Sequence, residues 1–237
     1  MPEIAARFAR PVVLAGLLAA TCLPVGAGPA DHLAPGFQSR PAASRLLVLP
    51  ADIELYSISA GGVAEPRADW TAAAQRNFGA ALEARRARLG ADFQQLEASQ
   101  AEEFAEIVTL QRAVAQAIAM HHDNGMMSLA TKGDRLDWSM GDAVRPLQER
   151  TGADYALFTW IRDSYASGER KALMLGMALL GGISVGGEQL GHALLVDLKT
   201  GRVVWFNELN RMTGDLREPA PARETVEALL RDFPGLQ

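Results

Sequence analysis

Cysteine is almost absent from this chain, since only one of its 237 residues, Cys22, is a cysteine. The sequence beyond Cys22 can therefore form no internal disulfide, and it offers no thiolate for nucleophilic or redox chemistry. A body without disulfides is stabilised by its apolar core. With 49% hydrophobic and 22% charged residues, the chain has enough apolar material to build one.

Basic residues are also fewer than acidic ones. The chain has 23 lysines and arginines against 28 aspartates and glutamates, which gives a formal net charge of −5. A nucleic-acid-binding protein needs a basic face that neutralises phosphates, and a polybasic membrane-surface protein needs a similar excess of positive charge. The composition therefore predicts no nucleic-acid partner and no membrane surface bound through lysine and arginine.

The apolar run near the amino terminus, residues 11–23, is too short for a transmembrane helix, which needs about 20 apolar residues. Arg7 and Arg10 precede the run, and small residues follow it at 24–27. A basic head, an apolar middle and a small-residue exit are typical of a bacterial secretory signal, which we predict at residues 1–27. We therefore expect the protein in the periplasm.

Two routes of signal processing stay open. Cleavage after Ala27 would release a soluble periplasmic protein. Lipidation at Cys22, which follows Leu18–Thr21, would instead anchor the protein to the outer membrane. Lipoprotein signals usually carry Gly, Ala or Ser where this chain has Thr21, so the sequence favours cleavage after Ala27.

The rest of the sequence divides into two parts. Residues 28–44 are rich in Pro, Gly and Ala and lack periodicity, which predicts a flexible tether. Residues 45–237 are predicted to form a single domain, with an apolar, glycine-rich insert at 172–187. That insert contains no charged residue and five glycines.

Apolar patterning predicts the elements of this domain. Predicted strands lie at 45–50, 53–58, around Phe93 and Leu96, at 153–164, and in a hairpin of 191–198 and 202–209 turned by 199–201. Predicted helices lie at 70–89 with Asp69 as N-cap, from Ser99 with Glu102 in a capping box to near His121, from a cap at Ser139 to Gly152, and at 225–233. Strand 153–164 is apolar on both faces, which indicates a central position. The fold class is therefore α+β: a mixed β-sheet with helices packed on it, ending in a β-hairpin and a short C-terminal helix.

Three sequence stretches carry a resemblance to a known group of proteins. They are LLVLP at 46–50, TGADYALFTW at 151–160 and LLVDLKTGRVVWFNEL at 194–209. In this order they resemble exported bacterial envelope proteins: the curli secretion channel lipoprotein, the lipoprotein activators of penicillin-binding proteins, and the amino-terminal domain of the Tol-Pal translocation protein. The resemblance implies an envelope assembly or protein-interaction role rather than an enzyme.

One motif points to a different class of function. Residues 182–186 match G-x-S-x-G, the strained turn from which the serine of a serine hydrolase projects toward its base. The only histidine after Ser184 is His192, eight residues later, and no carboxylate followed by histidine comes after it in the required order. We therefore predict no catalytic residue, and a periplasmic serine hydrolase using Ser184 stays as the alternative.

Metal and cofactor sites are not predicted either. His121, His122 and Asp123 form the one cluster of metal-ligand residue types, but adjacent histidines at a helix end point apart, and the helix dipole already favours them there. Two carboxylate pairs, Asp52 with Glu54 and Asp134 with Asp137, are expected to lie in polar loops and to be solvated. We expect the three later tryptophans to be core or sheet-face residues, namely Trp138, Trp160 and Trp205.

The insert at 172–187 is the surface that we predict to contact a partner, and packing of the insert against its own domain is the alternative. Its large apolar side chains would be an aggregation risk if nothing covered them. The partner expected is another cell-envelope protein, and a homo-oligomer stays open; membrane contact would come only through a lipid anchor or this insert. The candidate contact residues are Leu173, Leu175, Met177, Leu179, Leu180, Ile183 and Val185.

Overall fold

A computed structural model describes residues 32–90, 93–123, 127–179 and 187–237. The predicted signal at 1–27, Cys22, and the contact residues Leu180, Ile183 and Val185 lie outside these ranges, as does Ser184. No helix within the described ranges is long and apolar enough to cross a membrane.

The domain contains seven strands and seven α-helices in the described ranges. The strands are β1 (Leu46–Val48), β2 (Asp52–Ile58), β3 (Ala64–Pro66), β4 (Phe93–Gln95), β5 (Tyr155–Ala166), β6 (Gln189–Asp197) and β7 (Val203–Arg211). The helices are α1 (Ala68–Glu83), α2 (Arg86–Leu89), α3 (Ala98–Ala101), α4 (Ala105–Ile118), α5 (Arg145–Thr151), α6 (Gly168–Leu179) and α7 (Pro219–Leu229).

Strand β5 is the centre of a mixed sheet, as its two apolar faces predict. On one side, β1 pairs in parallel with its first half and β2 with its second half. On the other side β5 pairs antiparallel with β6, and β6 with β7. The outer positions beside β1 and β2 are taken by β4 and β3. The α+β prediction is confirmed.

Two layers of helices cover the sheet. Helices α1 and α7 pack on the face that carries Leu157, Ile161 and Trp205. Helices α4 and α5, with the chain between them, pack on the opposite face against Phe158 and Phe206. Burial on both faces provides the apolar stabilisation that a chain without disulfides needs.

The predicted hairpin is confirmed in β6 and β7. Its turn holds Gly201 at φ +68, a left-handed conformation that glycine adopts without strain. A Cβ at this position would lie 2.0 Å from the carbonyl oxygen of Gly141, so the turn also packs too tightly for a side chain. The register shifts at Leu195 and Val196, as in a β-bulge.

Several helix boundaries differ from the prediction. Asp69 is not the N-cap of α1 but lies in its first turn and pairs with Arg67 at 3.0 Å. The helix begins at Ala68 because the amide of Arg67 still bonds the carbonyl oxygen of Leu55 at 2.8 Å, which holds Arg67 extended. The predicted single helix to Leu89 is interrupted after Glu83. There the Arg85 amide bonds the carbonyl oxygen of Leu82, three residues earlier, instead of four residues earlier as in an α-helix.

Two further helices begin earlier than predicted. The capping box is formed by Glu97 and Gln100 rather than by Ser99 and Glu102, because a glutamate side chain also accepts the exposed amides of the first turn. Helix α7 starts at Pro219, whose fixed φ and missing amide hydrogen suit the first helical position, and it ends at Leu229.

Residues 32–44, which the sequence assigns to a tether, lie against the folded body. The His32 carbonyl accepts the amide of Phe206 at 3.0 Å, which extends the β7 edge. Arg40 is fully buried, and its guanidinium donates to the carbonyl oxygens of Leu89 at 2.6 Å and Pro234 at 3.3 Å. These contacts join residues far apart in sequence, so local composition does not predict them.

Candidate functional site

The first part of the predicted insert is a helix that projects from the end of β5. Ser167 caps this helix, α6: its hydroxyl oxygen accepts the amide of Arg170 at 3.1 Å. The amide of Ser167 bonds the carbonyl oxygen of Ile58, at the end of β2. The base of α6 is therefore held at the turn between β2 and β3.

Beyond this base, α6 packs little against the other described residues. None of its residues is buried. Four predicted contact residues are exposed: Leu173 by 49%, Leu175 by 66%, Met177 by 43% and Leu179 by 82%. At 100° per residue, Leu173 and Met177 lie on one side of the helix and Leu175 and Leu179 on the opposite side.

A helix that is apolar on all sides is ordinarily buried, either in a protein or in a membrane. The charged residues of α6 all lie in its first turn, at Glu169, Arg170 and Lys171, and residues 172–179 carry no charge. At 1.5 Å per residue, residues 172–179 form about 12 Å of this helix. Their exposed apolar surface suits a groove in another protein or the boundary of a membrane.

A buried polar network lies beside the base of α6. Asp163 is 2% exposed, and one of its carboxylate oxygens accepts hydrogen bonds from Tyr165 and, at 2.6 Å, from the amide nitrogen of Gln189. The amide oxygen of Gln189 accepts from Arg211 at 2.7 Å and from Thr225 at 3.1 Å. Burial raises the pKa of the Asp163 carboxyl, and Tyr165 and Gln189 partly oppose that shift.

This network ties the strand before α6 to the chain that follows β7. The Tyr165 hydroxyl oxygen accepts the amide of Leu216 at 2.9 Å, and the guanidinium of Arg217 lies 3.9 Å from the centre of the Tyr165 ring. A small cavity of about 140 Å³ opens between these segments, lined by Asp163, Lys171 and Gly187. Gly187 is required there, because a Cβ would lie 2.0 Å from the carbonyl oxygen of Ser164. The network fixes the base of α6 to the body.

His192, the only histidine after Ser184 in the sequence, is enclosed on the α4 face of the sheet. His192 is 5% exposed in β6, between the rings of Trp160 at 5.3 Å and Phe206 at 6.1 Å. Burial lowers its pKa to about 4. Because Ser184 lies outside the described ranges, the serine hydrolase alternative stays untested.

The candidate metal ligands do not form a site in the described ranges, where no group of three His, Cys, Asp or Glu could hold a metal ion. His121 bonds the carbonyl oxygen of Met127 at 2.7 Å and stacks on Trp138, while His122 is buried. Of the carboxylate pairs, Asp52 and Glu54 both contact Arg162, at 2.9 and 3.4 Å.

The tryptophans occupy the positions predicted for them. Trp205 is fully buried and Trp138 packs against the core on the α4 side. Trp160 lies on a sheet face, with the guanidinium of Arg162 at 4.8 Å from its ring centre. The network around Asp163 was not predicted, although the alternation of β5 does place Asp163 on the same face as the buried Leu157 and Ile161.

Comparisons with known proteins give only distant similarities. No family model matches the chain, and no curated protein matches it in sequence. Among solved structures, a PelC dodecamer from Paraburkholderia phytofirmans is 15% identical, with 84% of this chain and 95% of that chain covered and a TM-score of 0.39.

Two further similarities are weaker. Lipoprotein GNA1162 from Neisseria meningitidis is 16% identical over 73% of this chain and 82% of its own, with a TM-score of 0.29. The C-terminal domain of LpoB from Salmonella enterica is 12% identical over 76% and 88%, with a TM-score of 0.27. One of these neighbours, GNA1162, is a bacterial lipoprotein.

Proposed function

We propose that this chain is a non-catalytic protein of the bacterial envelope that binds another envelope protein through α6. The observation that carries the proposal is the exposure of Leu173, Leu175, Met177 and Leu179 on a helix with no buried residue. Covering a leucine of this kind contributes about 1.5–3 kcal/mol, so the four side chains can supply the apolar centre of a specific interface.

A protein groove fits the shape of this helix. Such grooves receive a short helix through anchor side chains spaced three to four residues apart, as Leu173 with Met177 and Leu175 with Leu179 are. The base of α6 is held by Ser167 and Arg170, so little of the helix would have to be ordered on binding. The predicted export signal places this contact in the periplasm, with the chain either soluble or anchored through Cys22.

Site-specific photo-crosslinking tests the proposal. A photoreactive phenylalanine analogue at Leu175, in cells that express the full chain, should give an adduct with one envelope protein that mass spectrometry identifies. The same analogue at Met127, which is 56% exposed on another part of the surface, is the matched control and should not give this adduct. An adduct of equal yield from both positions, or none from Leu175, would overturn the proposal.

A double variant separates binding from folding. Because α6 has no buried residue, Leu175→Gln with Leu179→Gln should lower the adduct formed through a probe at Leu173 at least tenfold and leave thermal unfolding unchanged. Vesicle flotation tests whether a lipid bilayer, rather than a protein, covers α6. Flotation of the wild type, but not of the double variant, with phosphatidylethanolamine–phosphatidylglycerol vesicles would show that a bilayer rather than a protein covers α6.

A further inference from the structure

Strand β4 forms an edge of the sheet at the end opposite to α6. It pairs in parallel with β1, with Phe93 opposite Leu46 and Gln95 opposite Val48. Among the described residues, no further strand lies beyond it. Natural proteins commonly keep an exposed edge short, and β4 has three residues.

The backbone of β4 presents polar groups along this edge. The amide of Leu96 bonds the carbonyl oxygen of Val48 at 2.9 Å, so Leu96 and, two residues earlier, Gln94 face β1. The N–H and C=O groups of Phe93 and Gln95 therefore point away from β1. Phe93 is 4% exposed, whereas Gln95 is exposed, so the backbone groups of Gln95 are the ones that another extended backbone can reach.

An apolar cavity of about 270 Å³ lies on the α1 face of this edge. Its walls include Val48, Phe78, Leu82 and Gly79. Gly79 lies inside α1, where glycine costs about 0.5–1 kcal/mol relative to alanine. A Cβ there would meet nothing within 4 Å, so close packing does not explain the glycine. Its missing side chain keeps the cavity open.

A second cavity, of about 310 Å³, lies on the opposite face of the same edge. Its lining is mainly polar and includes Gln94, Gln100, Glu103 and Arg150, the last two 3.8 Å apart. In an extended strand, successive side chains point to opposite faces of the sheet. A strand added beside β4 would direct alternate side chains into the apolar and the polar cavity.

We infer that the edge of β4 receives an extended segment of a partner polypeptide. The segment pairs its backbone with Gln95, places an apolar side chain over Gly79, and directs the neighbouring polar side chains toward Gln100 and Arg150. This surface is separate from α6 and does not depend on the proposed function. A lipid chain or a small apolar molecule would fill one cavity but could not pair with the backbone groups between the two.

The test uses a displayed library of random 12-residue peptides, selected on the full chain. We expect the selected peptides to alternate apolar and polar residues. A synthetic copy of the best peptide should bind Gly79→Phe and Gln95→Pro at least tenfold more weakly than wild type. Both variants should fold, because Gly79 faces open space and the Gln95 amide points away from β1, so proline removes no bond between β1 and β4.

Matched substitutions control for each change. Gly79→Ala leaves most of the cavity open and Gln95→Ala keeps the backbone amide, so both should bind the peptide within about twofold of wild type. The α6 double variant should bind it as wild type does, which separates this surface from the proposed function. The inference is overturned if no peptide is selected, or if binding is unaffected by Gly79→Phe and Gln95→Pro. Self-association of the wild type that Gln95→Pro abolishes would also overturn it, since a second copy would then occupy the edge.

Discussion

The side-chain nitrogen of Gln111 in α4 lies 3.1 Å from Nε2 of His192 in β6, and both side chains are buried. An amide nitrogen can only donate, so Nε2 of His192 accepts and the imidazole is neutral. Burial acts in the same direction and lowers the pKa of His192 to about 4. In this arrangement the contact joins a helix to the sheet with His192 unprotonated.

Acid should destabilise the fold through His192. The unfolded chain, with an ordinary histidine pKa of about 6.5, binds a proton that the folded state excludes until about pH 4. The contribution of His192 to the free energy of unfolding is therefore fully present above pH 6.5. It is lost as the pH falls toward 4, by about 3 kcal/mol in all. Urea unfolding followed by circular dichroism at pH 7, 6, 5 and 4 measures this loss.

His192→Gln removes the titrating group, so the loss of stability between pH 7 and pH 4 should be smaller by about 3 kcal/mol than in wild type. His121→Gln, at the end of α4, is the control and should keep the wild-type dependence. An unchanged pH dependence in His192→Gln would contradict the assignment.

Gly201→Ala should be one of the most destabilising glycine substitutions in the chain. It combines a positive φ of +68 with a Cβ placed 2.0 Å from the Gly141 carbonyl oxygen. We expect a loss of about 3 kcal/mol or more in the free energy of unfolding. Gly133→Ala has a similar φ of +57 but open space around its Cβ, so backbone strain alone should cost about 1 kcal/mol. Equal losses in chemical denaturation would show that the contact with Gly141 has no effect.

Arg40→Ala should release residues 32–44 from the body. The substitution removes two buried hydrogen bonds from a charged donor, to Leu89 and Pro234, and we expect a cost of about 2–4 kcal/mol. Limited proteolysis with mass spectrometry should then show faster cleavage within 32–44. Arg202→Ala is the control: Arg202 also bonds this segment, at the Pro35 carbonyl oxygen, but at the surface, where the cost should stay below about 1 kcal/mol. Slow cleavage in Arg40→Ala would contradict this role.

The elements that sequence predicts well are those whose pattern is local. Strand β5 shows its period of two over twelve residues, and Gly201 marks the hairpin turn, so both were predicted close to their observed bounds. The parallel pairing of β1 and β2 with β5 is not contained in any local pattern. It follows from packing between segments about 110 residues apart, such as Asp52 and Trp160.

The surfaces were harder to predict than the core for the same reason. Apolar composition predicts a contact surface at 172–187, but it could not show that the helix in its first part begins at Gly168 or that none of the residues 168–179 is buried. The edge of β4 depends on its pairing with β1 on one side and, among the described residues, on the lack of a further strand on the other. The role of Gly79 appears only when α1 lies beside that edge.

The pairing of residues 40–42 with residues 235–237 has a mechanical consequence. The Arg40 amide bonds the Gly235 carbonyl at 2.8 Å, and the Ala42 amide bonds the Gln237 carbonyl at 2.7 Å. A pull applied at His32 would first break its two bonds to Phe206 and then the bonds that hold Ala34 and Pro35. It would then meet the buried Arg40, which residues 234–237 hold in place. Residues 235–237 therefore hold segment 32–42 against the body. Deleting these three residues should lower the force at which that segment detaches.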